Sequence, residues 1–401
     1  MTLTAGDVRE ILFPALESQV AGERVLILVP DHTRVLPIDQ ILPAVVEAVH
    51  RAASAEVMVA LGTHPPDGVD YVHRVASLAA GTGRRVPVRN HEWRNEETLT
   101  SLGQIEAESI RAIAGEVWHR SLDAPLDVRI NRAATGADRV VIVGPTLPHE
   151  VAGFSGGTKY LFPGISGPEM IDVMHWLGAL SGVMATIGIP ATPVRALIDT
   201  AAAMLPAAVT LVAAVTEGDG LAGLFAGPPG EAWPASVELS SRHHITWLHH
   251  PYRRVVSQPL PIYDELWTAA KSVYKLEAAV ADGGELIVYA PWLKQVSSTH
   301  GRSIFRVGYH VLDYFLAQWE KFDAVPLAVL AHSSHVKGAG AFVHDREVPR
   351  ISVRLATAIS ATDCEQLNLG YVNPDAIDLA RTAAADTLVV RNAGEQLWRV
   401  R

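Results

Sequence analysis

Cysteine is nearly missing from this chain of 401 residues. Its single cysteine, Cys364, can form no intrachain disulfide and no cysteine-based zinc or iron–sulfur centre. Any metal must then be held by histidine, by carboxylates or by a cofactor. Blocks of Lys and Arg are missing too. With 33 basic against 43 acidic residues the formal net charge is −10, so no nucleic acid is expected as partner. A small anionic substrate would need basic side chains gathered locally. Long apolar runs are also absent. The most apolar stretch, residues 201–215, is interrupted by Pro206 and reads as a helix end followed by a strand, so no membrane contact is expected. The opening residues, MTLTAGDVREILFPALE, lack the basic start and apolar run of a signal peptide. A soluble, cytoplasmic protein is the expectation.

What is present is a well-buried composition, 49% hydrophobic and 19% charged. The length exceeds the roughly 250–300 residues at which one core stops growing. Two domains are expected, residues 1–245 and 246–401, with the last segment packing back on the first. Continuous apolar runs at 24–30, 56–62, 139–144, 209–215, 285–291, 327–332 and 388–392 read as strands buried on both faces. Helical stretches are expected at 38–53, 168–180 and 264–280. Strands alternating with helices predict an α/β fold: two α/β domains with mainly parallel sheets and the active site in the cleft between them. The polar stretch at 240–255, with His243, His244, His249 and His250, reads as a connecting segment.

In open α/β sheets ligands bind beyond the carboxyl ends of strands. After the first run stands Asp31-His32-Thr33-Arg34, then Pro37. That loop suits an anion, or a capped helix start with a solvated arginine. After the second stands Thr63-His64-Pro65-Pro66, a histidine on a rigid loop, placed for proton transfer or merely on the surface. After the third comes the richest stretch, from His149 through Ser155, Gly156, Gly157, Thr158 and Lys159 to Gly167, and then His175. Five glycines between 153 and 167 let the backbone approach a ligand.

Two familiar motifs nearly fit this stretch. Gly153–Gly157 satisfies G-x-S-x-G, but a serine-hydrolase elbow needs its serine directly after a strand, and here His149 and a proline intervene. A phosphate-binding P-loop needs Gly-Lys-Ser/Thr, whereas Thr158 precedes Lys159 and Tyr160 follows it. A lysine in a Gly-rich loop remains, with a histidine on either side in sequence.

At these residues the chain resembles the lactate racemase family, whose members use a nickel-pincer nucleotide. The shared elements are D-H-T-R-x-x-P at Asp31–Pro37, G-x-H-x-P at Gly62–Pro66, and H-x-x-A-G-F-S-G-G-x-K-x-x-x-P-G at His149–Gly164, followed by a helical histidine, His175. The resemblance implies a 2-hydroxyacid racemase or epimerase that inverts the hydroxyl-bearing carbon by transient hydride transfer. It implies that the cofactor, a pyridinium-3,5-bisthiocarboxylic acid mononucleotide carrying nickel (Ni), is attached covalently through Lys159. His175 would ligate nickel, and His64 and His149 would be the paired acid/base residues. Asp31, Ser155, Gly156, Gly157, Thr158 and Trp319 would contact the cofactor, and Arg34, Lys271 and Thr268 the substrate.

The implied partners are a small-molecule 2-hydroxy acid and the proteins that make the cofactor. Departures occur at Thr158 and Pro65, where the family often has Arg, and at Thr268, where lactate-specific members have Gln. They shift the expected substrate from lactate toward a bulkier or more polar 2-hydroxy acid, sugar acids included. A sugar-acid epimerase or redox enzyme using the same cofactor, and a non-catalytic nickel or nucleotide carrier, are the alternatives.

Overall fold

The computed structural model describes residues 2–62, 64, 66, 68–81, 86–380 and 385–401. Thr63 and Pro65, quoted above in the second motif, lie outside the described residues.

The first sheet contains β1 (Arg24–Pro30), β2 (Ser54–Ala60), β3 (Val88–Asn90), β4 (Arg139–Pro145), β5 (Ala208–Glu217) and β6 (Gly220–Gly227), in the order β6-β5-β4-β1-β2-β3. All neighbours are parallel except β5 and β6. The reason β1 is one apolar run is visible in its packing. Val25, Ile27 and Val29 join one core with Ile41 and Val45 of the helix Ile38–Ala48. Leu26 and Leu28 join another core with Ile142 on the opposite face. Both faces are covered, so no polar position interrupts the strand.

The strand order reverses between β1 and β4, which pair in parallel with Val25 opposite Arg139. Connections leave these two strands in opposite directions, and a crevice opens at their carboxyl ends. Asp31 and Arg34 follow β1, His64 follows β2, and His149 follows β4.

The second sheet contains β7 (Tyr252–Pro259), β8 (Val280–Ala290), β9 (Ser352–Thr357), β10 (Gly370–Tyr371) and β11 (Thr387–Ala393), in the order β10-β9-β8-β7-β11. It is parallel throughout. The chain is therefore mixed α/β with mainly parallel sheets. The larger core is shared, uniting Leu28 and Ile142 with Val255, Leu286 and Leu355 of the second sheet. The terminal strand Leu397–Val400 pairs with Ile245–Leu248, and Arg399 donates to the carbonyls of Ile187 and Met184.

Several sequence expectations are corrected. The run at 327–332 is no strand but the start of the helix Leu327–Lys337. Residues 328–336 are all buried, so no polar face betrays the helical period. The stretch at 264–280 is not one helix. It breaks into Leu266–Ala269, Lys271–Tyr274 and the 3-10 turn Glu277–Ala279, and β8 begins at Val280. The first crossover helix ends at Ala48 rather than at residue 53. The connector at 240–255 holds the end of the helix Pro229–His244, a short strand and the start of β7.

The helix Pro168–Ser181 follows Gly167 with proline in its first turn. It packs along Leu327–Lys337, and Asp172 accepts the Ala328 N–H at 2.9 Å, a carboxylate at the start of that helix. No described helix is long and apolar enough to cross a membrane.

Candidate active site

The crevice deepens into a cavity with two adjoining lobes. Arg34, His149, Glu150, Lys159 and Lys271 line both. The first lobe adds Asp31, Ser155, Gly156, Tyr263, Lys275 and Glu395. The second adds His64, His175, Trp267, Tyr274, His332 and His335. Residues after β1, β2 and β4 thus meet residues that follow β7 and β11.

His64 is buried, and its Nδ1 lies 3.1 Å from an Asp31 carboxylate oxygen. The other Asp31 oxygen accepts the Thr33 N–H at 2.9 Å and a short bond from the Thr33 hydroxyl. Arg34 stands 3.8 Å from the same carboxylate. Burial acts to raise Asp31, but His64, Arg34 and Lys271 outweigh it and hold the carboxyl well below the usual range. Burial lowers His64 below the ordinary imidazole value, and Asp31 offsets part of that. With Nδ1–H given to Asp31, Nε2 is left as the basic atom.

His149 is held in the opposite sense. Its Nδ1 accepts the N–H groups of Val151 at 3.1 Å and Ala152 at 3.4 Å. The neutral ring therefore carries its proton on Nε2. Burial, then the charges of Lys159 and Arg34, hold His149 well below the usual imidazole value. Glu150 lies 3.5 Å from the same Nδ1, and the sequence reading did not single it out.

Lys159 is half-buried, and desolvation, reinforced by Arg34, pushes its amine down to about 7. A buried amine of which a sizeable fraction is uncharged near neutrality is a nucleophile. The loop that carries it is pinned from behind. Arg195 donates to the Phe154 carbonyl at 2.7 Å, and Trp233 donates to the Ser155 carbonyl at 2.9 Å. The Arg195 guanidinium stacks 4.1 Å over Trp233. Gly157, at φ +64°, sits so close that a Cβ would lie 3.0 Å from the indole.

His175 gives Nδ1–H to the Ile171 carbonyl at 2.6 Å, which leaves its Nε2 lone pair for a metal. Burial takes it down to about 4, so the ring is neutral and ready to ligate. Among the described residues no three His, Cys, Asp or Glu side chains gather as a metal site, so His175 stands as a lone imidazole donor. Burial, and then Arg34, push Lys271 well below the usual lysine value. Its ammonium position lies 4.6 Å from the Tyr263 ring and has no hydrogen-bond partner among the described residues. An incoming carboxylate would restore its charge.

Four expected contacts lie outside the lining. Thr158 gives its hydroxyl to Asp199 at 2.6 Å, and Gly157 packs against Trp233. Thr268 gives its hydroxyl to the Glu265 carbonyl at 3.0 Å. Trp319 lies against Trp176 at 5.6 Å and His119 at 5.2 Å. Ser155 does line the first lobe, with its hydroxyl already bonded to the Leu147 N–H and the Pro145 carbonyl. The sequence reading missed Glu150, Trp267, Lys275, His332, His335 and Glu395. H-x-x-H between Pro326 and Gly338 was the one available signal for the two histidines, had the segment been read as a helix.

This is an α/β protein with a buried cavity of histidines and lysines at the carboxyl ends of its strands. Residues 11–188 match the lactate racemase N-terminal domain family. A lactate racemase from Thermoanaerobacterium thermosaccharolyticum is 24% identical over 297 residues, 70% of this chain and 65% of that relative's length. The apoprotein structure of the lactate racemase from that organism shares the fold, with a TM-score of 0.74 and 19% identity over 98% of this chain and 93% of the other. A crystal structure of a protein from Thermotoga maritima matches with a TM-score of 0.91 and 29% identity over 100% of this chain and 99% of the other. Residues 11–188 are thus similar to the lactate racemase N-terminal domain, and the whole chain shares its fold with a lactate racemase apoprotein.

Proposed function

We propose that the protein is a racemase or epimerase that inverts the hydroxyl-bearing carbon of a 2-hydroxy acid. The observation that carries this is the pair of buried imidazoles, His64 and His149, lining one cavity with a low-pKa lysine and a neutral, outward-facing histidine. Inversion at a carbinol carbon needs a proton acceptor and a proton donor for the hydroxyl, one for each enantiomer. A carrier would need only a tether and a ligand.

The nickel-pincer nucleotide implied by the family fits the residues present. Lys159 would offer the amine for a covalent link, and His175 its free Nε2 as a ligand to the nickel. When bound, that group supplies a hydride acceptor, which spares the enzyme a carbanion at a weakly acidic C–H. The chain's residues do the rest. Arg34 and Lys271 hold the substrate carboxylate and fix which carbon reacts. His64 takes the hydroxyl proton on Nε2, and Asp31 stabilises the imidazolium that forms. His149 serves the opposite face, with Glu150 available to its Nδ1. The two domains, 1–245 and 246–401, would close over the substrate at this cavity.

Intact mass of protein matured with its cofactor-making partners tests the tether. An adduct is expected on the native chain and none on Lys159→Ala. The adducted protein should interconvert the enantiomers of a 2-hydroxy acid without net oxidation. An adducted protein that converts none across a broad panel of such acids would overturn the reading.

A further inference from the structure

Resting on that proposed function, we infer that the substrate is a 2-hydroxy acid whose carbon chain bears further hydroxyl groups, held by His332 and His335. These histidines lie three residues apart on the helix Leu327–Lys337, so they share one face of it. Both line the lobe that also holds His64, His149 and His175. His335 Nε2 is buried with no hydrogen-bond partner among the described residues. Buried polar atoms in folded proteins are almost always paired, so an orphan on a side chain that lines a cavity marks the place of a ligand group. His332 is fixed by stacking on Trp267 at 4.1 Å, and its Nε2 lies 3.4 Å from the Tyr309 hydroxyl.

Other substrate classes fit this wall less well. A methyl group, as in lactate, would leave the His335 nitrogen unpaired. A second carboxylate would need another cation. The cations of this lobe are Arg34, Lys159 and Lys271, which the reaction already uses, and neither His332 nor His335 has a carboxylate partner among the described residues. An aromatic ring would need an open aromatic face, but Trp267 is stacked on both sides, by His332 and by His300 at 4.4 Å. Hydroxyl groups donate and accept, and so match neutral imidazoles whichever nitrogen carries the proton.

The test uses cofactor-loaded protein, its adduct verified by mass, and four probe acids: lactate, malate, mandelate and gluconate. Sites built to bond a hydroxyl reject analogues lacking it strongly, so kcat/KM for gluconate should exceed that for the other three by ~100-fold or more. His335→Leu should abolish most of that preference, and His335→Gln, which keeps a hydrogen-bonding group, should restore part of it. Preference for lactate, malate or mandelate overturns the inference but leaves the proposed function standing. Unchanged selectivity in both variants overturns it too. So does loss of the adduct or of nickel in either variant, which would assign His335 to the cofactor. Where His335→Leu does not fold, the native panel and His335→Gln decide. Failure of the loaded native protein on all four acids, and on the broader panel above, counts instead against the proposed function.

Discussion

One imidazole in the cavity gives its Nδ1 proton to a carboxylate; the other takes two backbone N–H groups on that same atom. The residue types are identical and the burial is the same, yet the anchoring makes them unlike. His64 has a ready-made partner for its imidazolium in Asp31. His149 has donors facing the nitrogen that would need to be protonated, and only Glu150, 3.5 Å away, to favour that proton. Proton affinity here is set by what holds the far nitrogen. On the proposed function, His64 would accept and His149 donate in the resting state, whereas inversion would require each to do both in turn.

Removing either imidazole should have the largest effect. His64→Ala and His149→Ala should each lower kcat by roughly 10²–10⁴-fold, measured on adducted protein. For an acid with one stereocentre the two forms are mirror images of equal free energy, so kcat/KM must stay equal in the two directions whatever the variant. The contrast appears instead in single turnover, as trapped 2-keto acid from each enantiomer. Each variant should block release from one enantiomer and spare the other. Loss from both enantiomers alike would end the division of labour.

Asp31→Asn should come next, at about 10²-fold in kcat, because the amide no longer stabilises the imidazolium of His64. The pH profile gives the sign. His64 works when neutral, so activity falls as pH drops through its lowered pKa. Asp31 raises that pKa, and its loss should move the acid limb to still lower pH. A slower enzyme with a wider acid range is the expected result, and a limb that moves upward would contradict it. Glu150→Gln should cost about 10-fold, confined to the half-reaction that uses His149. An equal cost in both half-reactions would show that Glu150 does not act through that ring.

How much of this was legible in the sequence follows the same physics. In the first sheet β1, β2, β4 and β5 were legible and β3 and β6 were not, because strands such as Val25–Val29 are covered on both faces and read as unbroken apolar runs. The strand-end motifs led to Asp31, Arg34, His64, His149, Lys159 and His175, and the fold gathers all six around the cavity. Apart from Lys271, the wall from the second half was not legible. The helix Leu327–Lys337 is buried on all sides, so its apolar run mimics a strand. In a strand His332 and His335 would face opposite ways; on a helix they face together. Trp319 misled for the converse reason. An aromatic in a suggestive place packs against Trp176 beneath the site instead of lining it. The anchoring of Nδ1, on which the contrast of the two histidines depends, is a matter of ångströms that no spacing encodes.

The smallest effect separates the two histidines without turnover. Lys159 is among the charges that hold His149 down, next after burial itself. It is not among the main influences on His64, which are burial, Asp31, Arg34 and Lys271. Lys159→Met in the apoprotein should therefore raise the His149 pKa and leave His64 nearly still. Histidine-selective NMR titration reads both rings in one sample. The proposed attachment of the cofactor would make the same change at Lys159, since acylation would remove its charge. Loading would then bring His149 closer to His64 in proton affinity, as a reversible exchange of roles requires. Equal shifts at both histidines would mean that the cavity titrates as one unit and that the contrast between its two bases is not electrostatic in origin.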